Sequence, residues 1–91
     1  MHIDDVCKKI DRIDQEHAII TDIELMDGTL IQFIDEYMHV HGGNYVSKAY
    51  VGRNPEISLE TDIWGDDYIK IGWDYLLVKP KDIKAIDLYI G

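Results

Sequence analysis

The sequence predicts an α+β domain, mainly β, in which one N-terminal helix precedes a small, strongly curved antiparallel sheet or a small barrel. Three observations predict it. Apolar residues recur at helical spacing only near the start, at Ile3, Val6, Ile10 and Ile13. From Ala18 onward the apolar period falls to two. Short strand-like runs then alternate with turn residues at close intervals, first at Asp27-Gly28, then at Gly42-Gly43-Asn44 and Gly65-Asp66-Asp67.

The helix is placed at residues 2–15. Asp4 and Asp5 sit in its first turn, and Lys8, Lys9 and Arg12 lie towards its end, as the helix dipole prefers. Cys7 extends the apolar stripe and reads as a packed small hydrophobe. In the run 18–26, Ile19, Thr21, Ile23 and Leu25 share one face, and Ile20, Asp22 and Glu24 the other. Asp27-Gly28 joins this run to 29–35, and a type I′ turn, with positive φ at both centres, is expected there. A second hairpin is expected around Gly42-Gly43-Asn44, with arms at 37–41 and 45–51. Arg53 to Glu56 reads as a loop and 57–64 as a strand. Residues 68–79 form a strand pair or one long bent strand, with Gly72 at a bulge or corner. Pro80-Lys81-Asp82 makes a helical turn, and 84–90 is the last strand.

Length and charge bound the function. A chain of 91 residues allows one domain. It carries 18 acidic against 9 basic residues, a net charge of −9. The only arginines are Arg12 and Arg53, and among the lysines only Lys79, Lys81 and Lys84 cluster. This balance speaks against direct nucleic-acid binding and against adsorption to an anionic membrane. It favours solubility and steering towards basic surfaces. No run approaches a membrane span, and the charged start gives no secretory leader, so the expected location is the cytoplasm of a bacterium or a phage-infected host. A single cysteine allows no intrachain disulfide and no Cys-built zinc site.

IELMDGTLIQFID, after the helix, resembles the opening hairpin of Sm-like and, more broadly, SH3-like small β-barrels, and DYLLVKPKDIKAIDLYI resembles their closing strand pair around one helical turn. The resemblance implies a small barrel with a tendency to form rings through edge strands. It does not extend to RNA binding. The bent second strand lacks the family's glycine, and Val78-Lys79-Pro80-Lys81 replaces the basic-glycine pair before the last strand.

No constellation for catalysis is present, and no cofactor is expected. The few hydroxyls, on Thr21, Thr29, Ser47, Ser58 and Thr61, lie outside any nucleophile elbow. Gly42-Gly43 is too short to cradle phosphate. His39 and His41 alternate on a strand and are weak metal candidates without further ligands. Asp62, Asp66 and Asp67 around Trp64 are either ordinary turn residues or, with Tyr68, part of an acidic and aromatic partner surface. Trp64 itself is either an exposed anchor or a cap on the fold.

Two functional expectations follow. The first is a non-catalytic inhibitor or adaptor, of the kind phages and prophages direct at host nucleases and defence complexes. Trp64, Asp62, Asp66, Asp67 and Tyr68 would engage the basic surface of a nucleic-acid-binding or defence protein. The second is an oligomer that sequesters a small nucleotide-like ligand, with Tyr45 and Tyr50 stacking on a base and Lys48 and Arg53 holding phosphate. A structural accessory subunit is the remaining alternative.

Overall fold

A computed structural model describes residues 1–42, 45–53, 55–72 and 76–90. A helix, α1 (Ile3–Glu16), opens the chain. The strands follow as β1 (Ile19–Leu25), β2 (Leu30–Ile34), β3 (Tyr37–Gly42), β4 (Tyr45–Tyr50), β5 (Ile57–Thr61), β6 (Asp67–Ile71), β7 (Leu76–Val78) and β8 (Ile83–Tyr89). A 3-10 turn at Pro80–Asp82 precedes β8. The α+β class is as predicted. The strands form two antiparallel sheets, in the orders β4-β3-β2-β1-β8 and β5-β6-β7. Among the described residues no strand pairing joins these sheets, so they are open rather than closed into a barrel.

Helix α1 buries Val6, while Ile10 and Ile13 pack partly against the core. His2 caps its start, Nδ1 accepting from the Asp4 amide at 3.1 Å. The helix runs on to Glu16, so Arg12 lies outside the last turn, which carries no basic residue. Arg12 instead pairs with Glu16 at 3.1 Å. The expected cationic C-terminus is therefore not formed.

The core joins Val6 to Ile20, Ile23, Ile31, Met38 and Ile86 from the larger sheet and to Ile57, Ile69, Ile71 and Val78 from the smaller one. Burial of Ile20 together with Ile23 breaks the expected alternation in β1. The register with β8 shifts between Ile20 and Asp22, a bulge that turns Ile20 inward while Asp22 stays outward.

The β1–β2 turn is not type I′. Gly28 takes φ +92° but Asp27 does not have positive φ. The Gly28 amide donates to the Leu25 carbonyl at 3.1 Å, and the Leu25 amide to the Thr29 carbonyl at 2.9 Å. This is a four-residue turn followed by a left-handed glycine bulge. Asp27 Oδ1 accepts the Thr29 amide at 2.8 Å, and that bond lowers the Asp27 carboxyl below its usual range. The backbone conformation expected there occurs one hairpin later. Ile34 pairs with Tyr37, leaving Asp35 (φ 50°) and Glu36 (φ 73°) as a two-residue loop with positive φ at both centres. The Glu36 carbonyl accepts the Val51 and Gly52 amides at 2.9 and 3.1 Å, which ties this strained turn to the end of β4.

β5 ends at Thr61 rather than residue 64, and Asp67 belongs to β6 rather than to the turn before it. β6 and β7 are a pair, with Ile69 opposite Val78. Gly72 follows β6 and donates its amide to the Glu56 carbonyl at 2.8 Å. The glycine-asparagine turn at 43–44, together with Trp73 and Tyr75, lies outside the described residues.

Candidate functional site

The β5–β6 connection presents the most exposed apolar side chains among the described residues, Ile63 at 88% and Trp64 at 81%. Burial and turn chemistry together explain why the chain can hold them there. Glu60 pairs with Tyr68 and Thr61 with Asp67, bringing the strand ends together. The Asp62 amide donates to the Asp66 carbonyl at 2.9 Å, and the Gly65 amide to the Asp62 carbonyl at 3.1 Å. Asp62 Oδ1 then accepts the Trp64 and Asp66 amides, both at 2.9 Å. Gly65 supplies the positive φ (83°) that closes the loop. Asp67 Oδ1 accepts the Thr61 hydroxyl at 2.7 Å.

The expected partner residues are thus brought together, but they divide by role. Asp62 and Asp67 build the turn. Asp66 is exposed beside Trp64. Trp64 does not cap the core, since four-fifths of its surface faces solvent. Tyr68 is half-buried and lines two adjoining clefts, of 500 and 280 Å³, each shared with Leu77. Met26 and Lys79 line the larger one with Asp27 and Asp82. Lys79 Nζ lies 5.7 Å from the Tyr68 ring centroid. Sequence reasoning missed Ile63, Met26 and Leu77, all strongly exposed. Ile63 and Met26 stand in apolar runs that read as strand, and only their position beside the turn-forming Asp62 and Asp27 signals otherwise.

The other expected set lies across the molecule, at one corner of the larger sheet. Tyr37 and Tyr50 are cross-strand partners in a T-shaped contact, centroids 5.5 Å apart. Lys48 Nζ sits 4.3 Å from the Tyr37 centroid. Arg53 lines an adjacent cleft of 570 Å³ with Phe33, Asp35, Glu36 and Tyr37. Lys48, Tyr50 and Arg53 therefore converge around Tyr37, which sequence reasoning left out of the set. Tyr45 pairs with Gly42 at the far end of β4, four residues from Lys48's neighbour Ala49, and its side chain lies outside the described residues. The carboxylates of Asp35 and Glu36 share the cleft with Arg53, so it is not a simple anion site.

His39 and His41 stack on one face of β3, centroids 6.3 Å apart. Among the described residues no group of three or more His, Cys, Asp or Glu is arranged to hold a metal ion. No helix among them is long and apolar enough to cross a membrane. Comparison with protein-family models, with curated proteins and with solved structures gave no match.

Proposed function

We propose that this protein is a non-catalytic binding module, an inhibitor or adaptor that docks its Ile63–Trp64 turn onto a basic protein surface. One observation carries the reading. Two large apolar side chains, more than four-fifths exposed, project from a turn held by four hydrogen bonds within an acidic chain of net charge −9. Burying tryptophan at the centre of an interface, with charge around it, is how a small surface gains both affinity and orientation. Asp66 beside the turn, and Asp27 and Asp82 along the neighbouring cleft, match cations at the rim of such a partner. A surface that normally binds nucleic acid has this chemistry.

The test compares wild type with Trp64→Ala and Ile63→Asp as immobilised baits in nuclease-treated bacterial extract. Proteins retained at 0.1 M NaCl and released at 0.5 M are identified, purified and titrated. A basic protein held by wild type and weakened at least ~30-fold by Trp64→Ala, as a hot-spot truncation requires, supports the reading. The same proteins on all three baits would overturn it.

A second reading, an oligomer that sequesters a nucleotide-like ligand, draws on the Tyr37–Tyr50 pair with Lys48 beside it. It requires a native mass spectrum with extra mass of a few hundred daltons per 10.6 kDa chain. A spectrum of bare chains removes it.

A further inference from the structure

Among the described residues nothing covers one face of the larger sheet, because the core residues Ile23, Ile31, Met38 and Ile86 all lie on the other. Pairing registers place side chains on this open face in rows across the strands. One row runs Asp87 (β8), Asp22 (β1), Gln32 (β2), His39 (β3), Lys48 (β4). It is acidic at one end, basic at the other and uncharged in the middle. A hydrogen bond that the protonated Asp22 carboxyl donates to Asp87, then burial, then the charge of Asp87, raise the Asp22 carboxyl above its usual range. No cation of this chain lies against the pair among the described residues, and Lys48 has only the Tyr37 ring.

We propose that this face binds the same face of a second copy, around a two-fold axis parallel to the strands and above β2. Such an axis reverses strand order while keeping strand direction. It lays Asp87 over the second copy's β4 position 48 and Asp22 over its position 39, with Gln32 on the axis. The pairing is then repeated by symmetry, so the patch is self-complementary, as an isologous contact must be. The flanking rows obey the same operation. Glu24, which also holds Lys84 at 3.5 Å, meets position 41, a histidine. In the exposed apolar row, Ile34 on β2 meets its own copy, while Tyr37 and Tyr50 face the second copy's β1 and β8. Sheets packed this way lie ~10 Å apart with strand directions within about 30°.

The size of the face sets the strength. Five strands at ~4.8 Å spacing and three outward positions per strand cover roughly 500 Å² per chain. The total is near the ~1,000 Å² lower bound of specific interfaces. The association is therefore weak and, being charge-directed, weakens further with salt.

Sedimentation velocity at 10–200 µM protein in 50 mM NaCl tests this. The expected species has twice the 10.6 kDa chain mass and dissociates in 1 M NaCl. Lys48→Glu and Asp87→Lys each weaken dimerisation at least tenfold, and the combined variant, which exchanges the two ends of the row, restores it. Circular dichroism confirms that each variant is folded. Both sites are exposed, and Asp87→Lys removes a like-charge contact. A wild-type monomer at 200 µM, an assembly larger than a dimer, single variants that dimerise normally, or a double variant that does not recover would each overturn the proposal.

Discussion

Asp22 and Asp87 face each other across β1 and β8, and the pair makes stability depend on pH in an unusual direction. Like charges directly opposite in an antiparallel pair are destabilising. Because its folded carboxyl is raised above the usual range, Asp22 binds its proton more tightly in the native state than in the unfolded chain. The native state then holds more protons between the two values, and stability falls as pH rises through that window. It is lowest, for this pair, once both carboxylates are ionised. Two charges 4 Å apart in water repel by about 1 kcal/mol. The pair is mostly solvated and 0.15 M salt screens it, so the cost at pH 7 is discounted to about 0.5 kcal/mol. Asp87→Asn removes the repulsion and keeps the hydrogen-bonding shape. At pH 7 it raises Tm by about 2–4 °C, from the ~4–8 °C per kcal/mol of a domain this size. The gain shrinks towards zero at pH 3 and halves or better in 1 M NaCl. Differential scanning fluorimetry at 2 µM protein, where self-association is negligible, reads the effect. A lower Tm for the variant at pH 7, or a gain that persists unchanged at pH 3, would refute this account of the pair.

Other substitutions separate the core from the surface. Ile69→Ala, at a position 1% exposed between the two sheets, costs about 2–5 kcal/mol by transfer and cavity terms, read as a lower midpoint in urea unfolding. Trp64→Ala leaves that midpoint nearly unchanged. Only about a fifth of the ring is covered, roughly 50 Å² or at most ~1 kcal/mol. Glu36→Gly stabilises by about 0.5–1 kcal/mol by relieving positive φ, whereas Gly28→Ala at φ +92° costs about 1–2 kcal/mol by imposing it. Opposite shifts of the two thermal midpoints check both turns at once.

Local signals made much of this fold legible. The stripe of Ile3, Val6, Ile10 and Ile13 marks α1 because helical spacing is a property of neighbours. Pro80-Lys81-Asp82 marks the turn before β8 because proline fixes φ at the first position. What escaped depends on distant partners. Asp35 and Glu36 contain no turn glycine, and their left-handed backbone is held by amides of Val51 and Gly52, some fifteen residues on. The bulge that turns Ile20 inward arises from pairing with β8, more than sixty residues away. The division into two sheets follows from the same return of β8 to β1. Trp64 was legible as a candidate because it adjoins turn residues. Ile63 was not, because apolar residues beside a strand normally continue it inward.

The net charge of −9 is not a uniform coat, and its arrangement separates two surfaces. On the open face of the larger sheet, carboxylates of β8 and β1 lie at the opposite end from Lys48 of β4, a pattern suited to a like partner. On the smaller sheet, acid surrounds the exposed Ile63 and Trp64, a pattern suited to an unlike, basic one. The two belong to different sheets, so their effects are separable. Trp64→Ala should dimerise as wild type does, and Lys48→Glu should retain the intrinsic affinity of one turn for a basic partner. A dimer carries two such turns. On a partner with repeated basic sites, loss of dimerisation should therefore lower apparent affinity through lost effective concentration, with no change at a single site. Equal loss of single-site binding in Lys48→Glu would show that the two surfaces are one.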